Sequence, residues 1–105
     1  MKKAILSLLF TPSLSYAVGN LSPVNIEGIY VREGRTDIYL KEDSNNPLNC
    51  THANLLTILN GEYLNSDAIL SAAIAAHMTG KKISGYVGAC ESGMGKLSAI
   101  YIEEN

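Results

Sequence analysis

The feature that most constrains the fold is the stretch 65–87, which predicts one amphipathic helix followed directly by a strand. Ser66 or Asn65 can accept a hydrogen bond from a free backbone N–H at the start, and Asp67 places negative charge at the positive end of the helix dipole. Gly80 can adopt the left-handed conformation that ends a helix. Both ends of the helix are therefore marked, and the rest of the chain must be arranged around it.

The two sides of this helix differ in the size of their side chains. The bulky side consists of Ile69, Leu70, Ala73, Ile74, His77 and Met78, and the small side of Ser71, Ala72, Ala75, Ala76 and Thr79. A surface helix normally carries Lys and Glu on its outer side, yet no residue between Ala68 and Gly80 is formally charged. Two interpretations stay open. Either the helix is simply buried or weakly polar in its own domain, or the small side, with Ala72, Ala75 and Ala76, is a contact between subunits.

The first 17 residues have the pattern of a secretory signal peptide. Lys2 and Lys3 precede an apolar run over residues 4–10, and small residues at Ser15 and Ala17 fit a peptidase site. Cleavage after Ala17 leaves residues 18–105, which suffice for one small domain in a secreted or periplasmic protein. The uncharged run in the helix is shorter than the roughly 20 residues that cross a bilayer, so we expect no membrane span.

Charge and cysteine content narrow the class of protein further. Without Lys2 and Lys3 the chain has six basic and ten acidic residues, a net charge of −4, which argues against nucleic acid as a partner. Cys50 and Cys90 form an even pair in an exported chain, which predicts a disulfide. The alternative is free or metal-binding thiols, but no CxxC pair or histidine cluster supplies the other ligands of zinc. No metal or other cofactor is expected.

Strand patterns occur at 24–31, at 36–40, within 50–59, at 82–87 and at 96–102, with a hairpin turn at 32–35 and a loop at 88–95. The predicted order is βββαββ. A mainly β domain of five strands, with one helix after the third strand, has the order of an OB-fold barrel. An open α+β sandwich with the same order is the alternative.

Two short motifs that point to catalysis fail on their spacing. A phosphate loop ending at Gly95 and Lys96 would need Gly at Cys90 and Ser or Thr at Leu97. A nucleophile elbow at Ser92 would also need Gly at Cys90. No nucleophile, base and orienting group can be assembled from the remaining residues, so an enzyme is not expected.

The pattern of the chain resembles the binding subunits of bacterial AB5 toxins, in the branch of subtilase cytotoxin and pertussis toxin. The residues that carry the resemblance are the opening strand IEGIYV, the stretch ILSAAIAAHMTGKKISGYV and the closing strand LSAIYI. The chain departs from this family by being shorter, by its single cysteine pair and by its lack of Trp, so no sugar-binding residue can be carried over.

The resemblance implies an OB-fold subunit, a homopentameric ring whose helices surround a pore, a face that binds host cell-surface glycans, and an exported enzymatic partner chain. Because Trp is absent, tyrosines must supply any flat face for a sugar. Tyr30 and Tyr39 flank a hairpin whose tip carries Arg32 and Arg35, and these arginines suit an acidic sugar such as a sialic acid. The alternatives are that the tyrosines serve sheet packing, and that the protein is a monomeric periplasmic interaction or inhibitor domain.

Overall fold

The computed structural model describes residues 19–44, 48–61 and 64–104, so the predicted signal peptide lies outside the described residues. This described part of the chain is mainly β with one helix. Its elements are β1 (Asn20–Val24), β2 (Ile26–Arg32), β3 (Arg35–Leu40), β4 (Leu55–Leu59), α1 (Ser66–Thr79), β5 (Ile83–Glu91) and β6 (Met94–Ile102).

The six strands form one sheet in the order β1-β5-β6-β4-β3-β2, in which only β4 and β6 are parallel. The predicted order βββαββ is wrong by one strand, and a closed barrel of five strands is not what the sheet shows, because β1 and β2 form its two edges. These edge strands are consecutive in the chain, with Asn25 alone between them. The Asn25 carbonyl accepts a hydrogen bond from the Lys41 N–H at 2.9 Å. The two edges therefore come together at Asn25, and the sheet must be strongly curved.

The loop predicted at 88–95 is also wrong, because β5 and β6 continue through it and pair as far as Glu91 and Met94. Ser92 and Gly93 form the two-residue turn between them, with φ of 53° and 84°. Positive φ at both central residues is the signature of a type I′ turn, whose twist matches that of the adjoining strands. A tight hairpin thus replaces the expected loop.

The predicted disulfide between Cys50 and Cys90 is confirmed. It joins the segment before β4 to the C-terminal end of β5 rather than to a loop. Beside it, the His52 N–H donates to the Gly93 carbonyl at 2.7 Å. The bridge fits an oxidising, non-cytoplasmic compartment.

The bounds of the helix follow the prediction, but its start lacks the expected cap. The Asn65 side chain makes no capping hydrogen bond, and the Ser66 hydroxyl donates to the Leu59 carbonyl at 3.2 Å. Gly80 ends the helix at φ 72° as expected, and its N–H donates to His77.

The side of the helix that faces the sheet draws on both of the predicted sides. It consists of Ser66, Ile69, Ala73 and Ala76. Ile74, His77 and Met78, from the bulky side, are exposed. The small side chains of Ala73 and Ala76 allow the helix to lie close to the sheet, where it contacts β2, β4 and β6. The core that results draws on every strand and on the helix, with Leu21, Val24, Ile26, Ile38, Leu40, Leu56, Ile58, Ile69, Ala73, Ala76, Ile83, Val87 and Leu97.

Candidate functional surface on the outer face of the hairpin

The four residues proposed to bind a ligand lie on one face of the hairpin formed by β2 and β3. Tyr30 is opposite Asp37, Arg32 is opposite Arg35, and Tyr39 is opposite Gly28. Directly opposed side chains in an antiparallel pair point to the same face, as do residues two apart on one strand. We call the surface made by these six residues the hairpin face.

A buried carboxylate lies at the centre of the hairpin face. The Asp37 side chain is only 4% exposed, and its two oxygens contact one arginine each. Arg32 Nη1 donates to Oδ2 at 3.2 Å, and Arg35 Nε lies 3.1 Å from Oδ1. Asp37 therefore holds both guanidinium groups at fixed places on the sheet surface.

The two arginine contacts are not equivalent. The Arg35 Nε is buried and finds no hydrogen-bond acceptor among the described residues, so its contact with Asp37 is an ion pair without a well-aimed hydrogen bond. The Thr57 hydroxyl, from the neighbouring strand β4, lies 3.2 Å from Asp37 Oδ1 and 3.3 Å from the Thr36 carbonyl, and its single proton can serve either. A neutral hydroxyl thus completes the environment of the carboxylate, and one net positive charge remains on Asp37 and its two arginines.

The two tyrosines of the hairpin face are accessible and lie beside a gap. Tyr30 is 55% exposed and Tyr39 is 41% exposed. The Arg32 guanidinium lies 5.5 Å from the centroid of the Tyr30 ring, a cation–π distance that restrains this ring. Gly28 has no side chain, and a Cβ built there would have nothing within 4 Å. The surface at Gly28, opposite Tyr39 in the register and two residues from Tyr30, therefore has open space above it, and we call it the open shelf.

Sequence reasoning missed Asp37 and Thr57, although one signal for Asp37 was present. Aspartate is depleted in strands, so an Asp inside the alternating pattern of β3 needs a partner. Arg35 is two residues earlier and so shares its face. The contribution of Thr57 could not be read in the same way, because it depends on the pairing of β3 with β4, two segments that are distant in the sequence.

The second predicted site, the helix surface for subunit contact, is only partly available. Ala76 is fully buried in the subunit's own core, Ala72 is half-buried and Ala75 is exposed. Next to Ala75 the exposed surface of α1 carries Ile74 and Met78, the latter 79% exposed. Ile74, Ala75 and Met78 thus form an apolar patch on an accessible helix surface that also carries Ser71, His77 and Thr79, and this patch is rotated from the face that the sequence indicated.

Two further observations on the described residues concern metal binding and membrane insertion. Residues 19–44, 48–61 and 64–104 contain no group of three or more His, Cys, Asp or Glu side chains that could hold a metal ion. Within the same ranges no helix has the length and apolar character needed to cross a membrane. His52 lies against the turn at Gly93, and His77 is exposed near the end of α1.

The chain matches no protein-family model, no curated protein and no solved structure. Its function must therefore be inferred from the arrangement of its own residues. The hairpin face, with its buried carboxylate, two arginines and two exposed tyrosines, is the most informative surface.

Proposed function

We propose that this protein is an exported, non-catalytic binding subunit that recognises acidic glycans of host cells through the hairpin face. The observation that carries the proposal is the buried Asp37 between Arg32 and Arg35. This carboxylate leaves the two guanidinium groups oriented and one net positive charge in excess, on a chain that is acidic overall.

The chemistry of the hairpin face suits a sugar that carries a carboxylate. A saccharide needs a flat apolar surface for its C–H groups and a few fixed hydrogen-bond partners. Tyr30 and Tyr39 supply exposed rings, and Gly28 leaves open space on the same face. The arginines supply charge-assisted donors, which are stronger than neutral ones. A sialic acid combines both requirements.

The curvature of the sheet supports an OB-like arrangement for this subunit. The two edge strands β1 and β2 are joined through Asn25, and β4 is parallel to β6. If β1 and β2 are taken as one strand bent at Asn25, the order of strands around the sheet is that of an OB-fold barrel. The division of this first strand at Asn25 would thus account for six strands in the sheet, where an OB-fold barrel has five.

A side chain on the open shelf should weaken glycan binding without loss of stability. Gly28 lies in a strand with open space around it, so Gly28→Val should fold, and its branched side chain should occupy the place of a sugar. We expect the affinity for sialyllactose, measured by ligand-observed NMR, to fall at least about tenfold, because a displaced sugar would lose at least one charge-assisted hydrogen bond. Ala99→Val, on an exposed position of β6, is the matched control.

Variants that remove a charge test the electrostatic contribution to glycan binding separately from the steric one. Arg32→Ala should weaken sialyllactose binding, whereas Lys82→Ala, which removes an exposed charge outside the hairpin, should not. Equal binding by the unmodified protein, Gly28→Val and Arg32→Ala would show that the hairpin face is not the site.

A ring of subunits, most simply of five, would use the exposed side of α1. One weak site per subunit gives useful avidity only if several copies engage a cell surface together. The face with Ile74, Ala75 and Met78 is apolar and accessible, as a subunit contact requires.

A single acidic residue on this side of the helix should dissociate the oligomer. Ala75→Glu places one carboxylate per subunit in the proposed contact, while the monomer, in which Ala75 is exposed, should still fold. Light scattering should show a smaller mass for Ala75→Glu, and an unchanged mass for the control Lys82→Glu. Ala76→Glu should instead prevent folding, because it would bury a charge in the core. A monomeric unmodified protein at micromolar concentration would rule out the ring and favour a monomeric periplasmic interaction or inhibitor domain.

A further inference from the structure

A small cavity lies where the end of α1 meets the junction of β1 and β2. It has a volume of about 130 Å³, and Ile26 and Ala76 are the apolar part of its lining. The polar part comes from three separate elements. Asn25 belongs to the strand junction, Lys41 follows β3, and His77 and Lys81 belong to the helix end. The cavity is at the opposite end of β3 from the hairpin turn and is independent of the hairpin face.

Backbone hydrogen bonds hold the rim of this cavity in place. The Lys41 N–H donates to the Asn25 carbonyl at 2.9 Å, which joins the end of β3 to the strand junction. The Lys81 N–H donates to the Ala76 carbonyl at 3.0 Å, across the left-handed Gly80. The two lysines thus start from fixed backbone positions on opposite sides of the cavity.

The lining is positively charged. Among the described residues, its lining contains two lysines and one imidazole and no carboxylate. One acid lies at its rim, because Glu42 Oε2 accepts a hydrogen bond from the Asn25 N–H at 3.2 Å. The C-terminal end of a helix attracts cations, which accounts for Lys81. It does not account for Lys41, because this residue comes from a different element.

We propose that this cavity binds one compact oxyanion, a carboxylate or a phosphate group. A volume of 130 Å³ corresponds to about four water molecules, enough for such a group. Lys41 and Lys81 supply the charge, and Asn25 is a further polar residue of the lining. The helix carbonyls of Ala76 and His77 are already occupied by N–H donors, which weakens their repulsion of an anion.

The test is an NMR titration of the isotope-labelled, oxidised exported protein with sodium acetate and, separately, with sodium phosphate, at constant ionic strength in chloride. We expect saturable shifts at the backbone amides of Asn25, Lys41, Gly80 and Lys81 with at least one anion. Acetate alone would identify a carboxylate site, and phosphate alone a phosphate site.

Two neighbouring lysines provide a matched comparison. Lys81→Ala should weaken the anion about two- to fivefold, the contribution of a partly exposed charge pair, and Lys82→Ala should leave it unchanged. Lys41→Ala should weaken anion binding by a similar factor. If Lys81→Ala fails to fold, the comparison of Lys41→Ala with Lys82→Ala takes its place. Shifts that do not saturate with either anion, or equal weakening in Lys82→Ala, would overturn the proposal.

Discussion

Replacement of both cysteines by serine is expected to lower the free energy of unfolding by about 2–5 kcal/mol, the usual cost of removing a native disulfide from a small secreted domain. The bridge from Cys50 to Cys90 spans 40 residues and encloses β4, α1 and nearly all of β5. In the chain-entropy account, closing a loop of this length restricts the unfolded chain by roughly 4 kcal/mol. A small domain has only about 5–15 kcal/mol in total, so the variant should be barely folded at 37 °C.

Urea unfolding of the oxidised protein, of the Cys50→Ser/Cys90→Ser variant, and of both with reductant measures this effect. The reductant should destabilise the unmodified protein and leave the variant unchanged, which controls for any other action of the thiol. A loss of stability below 1 kcal/mol in the variant would mean that the remaining hydrogen bond from His52 to Gly93 suffices to hold the segment.

The second large effect is expected for Asp37→Asn, which removes the charge of the buried carboxylate but keeps its shape. Turned toward Arg32, the new NH2 would face a cation and lack an acceptor. Turned the other way, it could donate to the Thr57 hydroxyl oxygen, but it would then lie against the buried Arg35 Nε, a donor that already has no hydrogen-bond acceptor among the described residues. Such an unsatisfied group costs about 1–3 kcal/mol. Arg32 remains partly exposed, so water relieves part of its lost pairing, and a value in the middle of this range is expected.

Glu33→Gln is the matched control, because Glu33 is an exposed acid in the turn between the same two arginines. A surface substitution of this kind changes stability by less than about 0.5 kcal/mol. Thermal unfolding of the two variants compares them directly. Equal stability of Asp37→Asn and Glu33→Gln would contradict the role of Asp37 as the anchor of the hairpin face.

The helix shows how far local sequence signals reach. Its end at Gly80 was predictable because the left-handed position requires glycine. Its orientation was not, because alanines on both sides leave little amphipathic contrast. The contact with the sheet selects Ala73 and Ala76 for the inside and leaves Met78 outside. That choice depends on how closely the backbone of the helix can approach the sheet, which no local pattern encodes.

The prediction of the strands from the sequence failed for two different reasons. Strand β1 was missed because its segment is polar and contains Pro23, which argues against a central strand but is tolerated at a sheet edge. The extension of β5 and β6 was missed because their glycines indicated a loop, while Ser92 and Gly93 alone make the turn. The two tyrosines and two arginines of the hairpin face could be selected from the sequence because they lie on and beside a short hairpin. Their anchoring by Asp37 and Thr57 required the register.

A glycan array probed with the unmodified, oxidised exported protein tests the proposed glycan recognition most directly. We expect binding to sialylated glycans, with little binding to their desialylated counterparts and loss of the signal in Gly28→Val. Silence across sialylated and neutral glycans alike would contradict a glycan-binding subunit.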